Sequence, residues 1–179
     1  MELEVVKARH LEIITLTVSD WRDFKELRLR ALRSEPQAFC STFSREAAWA
    51  DEKWRQRLQD VEIRRGWIFF AKLDEELVGM IGGFRNEEDK QERRAEIWGM
   101  FVDEQARRKG VGEALVRRLL VELGKEADID TVLLEVHVNQ DPAIRLYRKL
   151  GFKQVETEEI TFGDGVRSSA IVMEKSLRF

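Results

Sequence analysis

The stretch from Ala95 to Val138 constrains the fold more than any other part of the chain. Ala95–Val102 (AEIWGMFV) reads as a strand. Gly110–Ala127 reads as a helix with Val111, Leu115, Leu119 and Leu123 on one face, and Thr131–Val138 (TVLLEVHV) as a strand apolar on both sides. A connection that long carries the chain back to the same end of the sheet. The two strands therefore pair in parallel, with the helix crossing over right-handedly.

The flanking elements make the sheet mixed. Glu12–Val18 alternates like a strand, and Ser19 or Asp20 can cap a helix whose apolar positions are Trp21, Phe24, Leu27 and Ala31. Helical pattern resumes over Ser44–Asp60, in one piece or two. Trp67–Leu73 and Leu77–Phe84 flank Asp74-Glu75-Glu76 as a hairpin. Asp141–Leu150 is a helix with Pro142 in its first turn and Gly151 just past its end. Val155–Phe162 and Ser168–Glu174 form a last hairpin around Gly163-Asp164-Gly165. The order β-α-α-β-β-β-α-β-α-β-β predicts one mixed α/β domain over residues 1–179, with no repeat or linker. Arg85–Arg94 (RNEEDKQERR) mixes both signs and reads as a solvated loop.

Composition excludes several function classes. With Lys+Arg 31 against Asp+Glu 34 the net charge is −3, so the chain has no electrostatic reason to sit on nucleic acid or an anionic membrane. One cysteine, Cys40, cannot close an internal disulfide, and one Cys with His10 and His137 is a poor basis for a metal site. The start, MELEVVKARH, lacks the apolar run of a signal peptide, and no run approaches the roughly 20 residues of a membrane span. A cytoplasmic protein without metal is expected.

The strongest chemical signal lies between the two parallel strands, in Arg107-Arg108-Lys109-Gly110-Val111-Gly112. Glycines let the backbone turn tightly and approach a ligand. The unpaired amides of the following helix's first turn, with its dipole, make an anion site, and three cations stand where a phosphate would arrive. The pattern is neither G-x-x-x-x-G-K-[ST] nor G-x-G-x-x-G, so P-loop and Rossmann readings fail. A helix start that merely needs its glycines is the plainer alternative.

Arg107-x-x-Gly110-x-Gly112 resembles the Arg/Gln-x-x-Gly-x-Gly/Ala signature of the GCN5-related N-acetyltransferase (GNAT) superfamily. Asn139, Ala143, Tyr147 and Gly151-Phe152 are similar to the second half of that pattern. The resemblance covers Ala95–Phe152 well, and Leu27–Phe43 is similar to the first helical region of bacterial members. Arg108 stands where a glycine is frequent, and Asp103-Glu104 where a proline-containing turn is.

The resemblance implies a mostly antiparallel sheet with a central parallel pair that splays apart and helices on both faces. Acetyl-CoA's pantetheine arm then lies in the splay, paired with backbone near Met100, Phe101 and Val102 in the manner of an added strand. Gly99 marks a place for a bulge that frees an amide. The amides of Arg107, Arg108, Lys109, Gly110, Val111 and Gly112 hold the diphosphate, Asn139 sits beside the splay, and small Ala143 lets the cofactor pass. Tyr147, the only tyrosine, is the family-matched general acid to the CoA sulfur; by periodicity alone it belongs to the apolar stripe of Ala143, Leu146 and Leu150. Glu96, which strict alternation puts on one strand face with Trp98, Met100 and Val102, is the candidate base, or else a surface glutamate paired with Arg93 or Arg94. His137 reads as a satisfied core histidine, and Cys40 lacks an activating neighbour in sequence. Phe39, Phe43, Trp49 and Phe162 are candidate walls of the acceptor pocket.

The implied activity is acetyl transfer from acetyl-CoA to a primary amine of a small molecule or protein by direct attack, and a homodimer is compatible with the resemblance. The alternative is a catalytically silent acyl-CoA-binding module, which keeps the loop and needs no Tyr147.

Overall fold

The computed structural model describes residues 10–63, 66–85, 93–161, 163 and 165–178. The leading MELEVVKAR, most of the mixed-charge loop (86–92), Phe162 and Asp164 lie outside the described residues. Seven strands form one sheet: β1 (Leu11–Ile14), β2 (Trp67–Leu73), β3 (Glu76–Arg85), β4 (Arg94–Val102), β5 (Thr131–His137), β6 (Lys153–Thr161) and β7 (Arg167–Ser176). They lie in the order β1-β2-β3-β4-β5-β7-β6, and only β4 and β5 pair in parallel. The helices are α1 (Trp21–Ser34), α2 (Phe43–Ala47), α3 (Asp51–Ile63), α4 (Val111–Gly124) and α5 (Asp141–Lys149).

The sheet separates two cores. On one face Val111, Leu115, Leu119 and Leu123 of α4 and Ile144 and Tyr147 of α5 pack on Ile81, Ala95, Ile97, Val132 and Leu134. On the other, Phe24, Leu27 and Leu32 of α1 and Trp54 and Leu58 of α3 pack on Ile68, Phe70, Met80 and Phe101. Phe24 stands edge-on to both Trp54 (5.7 Å) and Phe70 (5.8 Å).

Several boundaries differ from the sequence pattern by one to a few residues, and three of these differences are informative. β1 is four residues long rather than Glu12–Val18. The chain leaves it for a 3₁₀ turn because Asp20 Oδ2 accepts from the Thr17 amide (2.8 Å) and hydroxyl (2.7 Å), a local bond that competes with the ladder. The β2–β3 turn is the two residues Asp74 and Glu75, both at positive φ, with Glu76 already in β3. The last hairpin is longer than expected at its outer ends, because Lys153 and Gln154 pair with Glu174 and Met173.

The fourth difference bears on the site. Met80 faces Phe101 while Gly82 faces Trp98, so β4 carries one extra residue, and Gly99 takes it up at φ +64. The extra residue reverses the phase of alternation. Glu96 and Trp98 face the α1–α3 side with Phe101, whereas Met100 and Val102 turn toward α4, where they approach Gly112. The expected shared face of Glu96, Trp98, Met100 and Val102 is therefore wrong beyond Trp98.

Candidate active site

The β4–β5 ladder runs from Arg94 opposite Thr131 to Ile97 opposite Leu134 and stops there. Beyond it, Trp98–Val102 pair with β3 alone and Glu135–His137 with β7 alone. The parallel pair is zipped at one end and parted at the other, with the Gly99 bulge at the start of the parting. Phe101 pairs with Met80 of β3, so on the β5-facing edge the alternating backbone groups are those of Met100 and Val102, which have no strand partner there, an edge that suits an extended, amide-containing ligand.

The basic loop follows directly. A 3₁₀ turn (Glu104–Ala106) ends with the Arg107 amide donating to the Glu104 carbonyl (3.2 Å). The Arg107 amide is thus occupied, and the run of donors begins at Arg108 rather than Arg107. Gly110 caps α4 at φ +81 and Arg108 sits at φ +60. The first bond of the helix goes from Ala114 N–H to the Gly110 carbonyl (3.0 Å), so the amides of Val111, Gly112 and Glu113 have no intrahelical acceptor. Two of the cations brace the loop: Arg107 Nε donates to the Val102 carbonyl (3.1 Å) and its Nη2 pairs with Glu35, while Lys109 donates to the Gln105 carbonyl. A Cβ on Gly112 would stand 3.1 Å from Leu146 and 3.2 Å from Met100, so Gly112 is also a close-packing position.

Tyr147 stands on α5 with its ring edge-on to Phe152 (5.6 Å). Burial pushes its hydroxyl well above the usual phenol range, so it keeps its proton at neutral pH. Among the described residues that hydroxyl has no hydrogen-bond partner. Ala143, one turn earlier, is partly buried beside the same core. Asn139 is exposed just past β5, its amide bonded to His137 Nδ1 (3.1 Å); His137 Nε2 meets the Ser168 hydroxyl (2.9 Å). His137 is thus tied at both ring nitrogens. Arg93 pairs with Asp130.

A cavity of about 470 Å³ opens on the opposite face of the sheet, between the parted strands and the helices α1–α3. It is lined by Glu96, Trp98 and Gly99 of β4, Glu135 of β5, and Phe39, Cys40 and Trp49 from the helical side. Phe43 is not among its walls; its ring stacks under Arg33 instead (4.3 Å). The last hairpin is tied to the wall residue Phe39, whose carbonyl accepts from the Gly163 amide (3.0 Å). Glu96 and Tyr147 do not meet: Glu96 faces this cavity and Tyr147 the α4–α5 core.

Four charged residues that the sequence pattern missed shape the cavity. Arg28 holds Glu46 through two bonds, Nε to Oε2 (2.9 Å) and Nη2 to Oε1 (2.8 Å), and stacks on Phe39 (4.7 Å). Burial favours a protonated Glu46, but Arg28, then Ser41 and Arg57, outweigh it and hold the carboxyl below its usual range. Arg57 lies against Trp49 (5.5 Å) and Trp98 (5.4 Å). Partial burial, Glu158 and Glu96 push the Glu135 carboxyl up. Partial burial and Glu135 push the Cys40 thiol up as well, so it is not an activated nucleophile.

The sequence matches the model of the Acetyltransferase (GNAT) family over residues 21–152. The chain belongs to that family. The chain is 36% identical over 105 residues to an N-alpha-acetyltransferase of Sulfurisphaera tokodaii, covering 55% of this chain and 63% of that one, less than two thirds of its length. It is 26% identical over 142 residues to the L-amino acid N-acetyltransferase AaaT of Escherichia coli, covering 78% and 83%. In structure it resembles yncA of Salmonella typhimurium, solved with its cofactor acetyl-CoA: TM-score 0.78, 14% identity, 95% of each chain covered. That likeness confirms the GNAT fold.

Proposed function

We propose that this GNAT-family chain acetylates a primary amine of a small molecule or protein by direct attack on acetyl-CoA, as a single domain over residues 1–179. One observation carries the reading. The β4–β5 parting has a loop of amides without backbone partners among the described residues at its α4 end and an open cavity on the opposite face, so a thioester threaded through it would meet an amine arriving from the other side.

The residue roles follow from position. Amides of Arg108, Lys109, Gly110, Val111 and Gly112 take the diphosphate, helped by the α4 dipole. Met100 and Val102 pair with the pantetheine amides, and the Gly99 bulge leaves an amide for the thioester oxygen; one such donor is worth about 10²–10³ in rate. Ala143 leaves room for the cofactor and Asn139 stands at its edge. Tyr147 offers a firmly held proton to the departing sulfur as a hydrogen bond.

Proton removal is the larger task. A lysine-like amine with pKa about 10.4 is neutral in only roughly 1 of 2,500 molecules at pH 7, whereas a thiol of pKa about 8.5 leaves readily. Glu96, which lines the cavity, is the candidate base, directly or through water. Nothing in this chemistry calls for a metal. Among the described residues no helix is long and apolar enough to cross a membrane. A cytoplasmic enzyme without a nucleic-acid or membrane partner is the reading that suits the net charge of −3, and a homodimer is compatible with it.

The test is release of CoA thiol from acetyl-CoA with a wide amine panel. Amine-dependent release supports the reading. Tight acetyl-CoA binding with no turnover of any amine would favour the silent binding module.

A further inference from the structure

The acceptor cavity has two walls of opposite charge. Its helical wall carries Arg28, Arg45 and Arg57 against the single carboxylate of Glu46. Its sheet wall carries Glu96 and Glu135 and no cation. A pocket that served amines in general would need only the second wall.

The helical wall is short of an anion. The Arg28 side chain is 6% exposed, and two of its guanidinium nitrogens are taken by Glu46. The third, Nη1, is buried with no partner among the described residues, 4.0 Å from where a Cβ on Gly99 would stand. A buried, unpaired guanidinium N–H is costly unless a ligand completes it. Arg57 is the reachable cation beside it. Among the described residues it forms no ion pair, the charges it senses are Glu46, Arg28 and Asp60, and the flanking Trp49 and Trp98 rings hold it in place. Arg28 and Arg57 share the one carboxylate of Glu46, which leaves room for a second carboxylate.

We propose that the acceptor is a small amino carboxylic acid, its carboxylate held by Arg57 and the free edge of Arg28 and its amine held by Glu135 and Glu96 beside the Gly99 bulge. This rests on the acetyltransferase reading and narrows its acceptor class. The amine and the reacting carbonyl then meet at the sheet wall, where the strands part, and the cavity volume suits one such molecule. The new C–N bond forms as the C–S bond breaks, and the bonding pair leaves on the CoA sulfur. An ammonium acceptor gives up two protons, one to that sulfur and one through the carboxylates to solvent. The products are an N-acetylamino acid and CoA thiol.

The experiment uses the full chain, acetyl-CoA and matched sets: an amino acid, its carboxamide, and the amine lacking the carboxyl group, for several aliphatic and aromatic side chains. Thiol release gives kcat/KM, corrected for the fraction of neutral amine. The acid is expected to exceed both partners by about 10- to 100-fold, the size of a charge-assisted hydrogen bond. Arg57→Gln should cut the acid-to-carboxamide ratio by about tenfold, mainly through KM for the acid, and Arg57→Lys should restore part of it; acetyl-CoA binding by calorimetry reports that each variant is folded. Equal kcat/KM for acids and carboxamides in the unaltered protein would overturn the carboxylate anchor and leave the acetyltransferase reading standing. A kcat loss common to acids and carboxamides in Arg57→Gln would overturn it too, by marking the cations as acting on the thioester. Binding of acetyl-CoA with turnover of no amine would overturn both.

Discussion

Arg28 of α1 and Glu46 of α2 lock together at two points, 2.9 and 2.8 Å, with the side chains 6% and 2% exposed. The pair ties the short α2 to α1 and forms part of the wall of the cavity beside β4 and β5. It stands where the apolar stripe of α1, Phe24 and Ala31, would otherwise continue.

Removing one partner strands the other in a buried site. Arg28→Met should destabilise by about 3–5 kcal/mol, and the double change Arg28→Met with Glu46→Leu by much less, because no charge is left unpaired. Urea unfolding of the three proteins checks this; equal losses in single and double variants would contradict it. Since the Glu46 carboxyl is held below its usual 4.5, the stability it contributes is full above about pH 4.5 and drains away as pH falls through the lower folded-state value.

Tyr147→Phe keeps the ring against Phe152 and removes a hydroxyl with no partner among the described residues. Stability should change by less than about 0.5 kcal/mol. Turnover should fall by about 10²-fold or more with acetyl-CoA affinity retained. Full kcat at several pH values would end the acid role.

Glu135 gives the opposite pH sign from Glu46. Its carboxyl is pushed up by partial burial and then by Glu158 and Glu96, so the folded state binds the proton more tightly than the unfolded chain. The resulting penalty is absent below about pH 4.5 and grows as pH rises through the higher folded-state value. Glu135→Gln should therefore raise Tm at pH 7 and not at pH 4, while KM for the amine rises. Calorimetric scans at the two pH values check this, and a gain at pH 4 as large as at pH 7 would contradict it.

The sequence carried the crossover from β4 through α4 to β5 because each element has its own strong period and glycines mark the joint. Gly151 and Pro142 fell where local helix chemistry puts them: Gly151 ends α5 at φ +88 with the Phe152 amide returning to the Tyr147 carbonyl. The bulge was legible as a glycine at position 99, but its consequence was not. One inserted residue reverses every later side chain, and strict alternation misplaced Met100 and Val102. Glu46, Arg57 and Glu135 were invisible because their meaning lies in partners brought together by the fold. Arg28 left a trace, a charge at helical spacing between Phe24 and Ala31 on an otherwise buried face.

On the proposed function, the loop entering α4 binds CoA through its diphosphate. Gly110 holds the cap at φ +81, where an L side chain costs about 1–2 kcal/mol, so Gly110→Ala should disturb the same amides. The most direct test is titration calorimetry of the folded chain with acetyl-CoA and with S-acetylpantetheine, which lacks the diphosphate. Saturable one-to-one binding of acetyl-CoA is expected, weaker by about 100-fold for the truncated thioester. No uptake of acetyl-CoA, or equal affinity for the two, would contradict it.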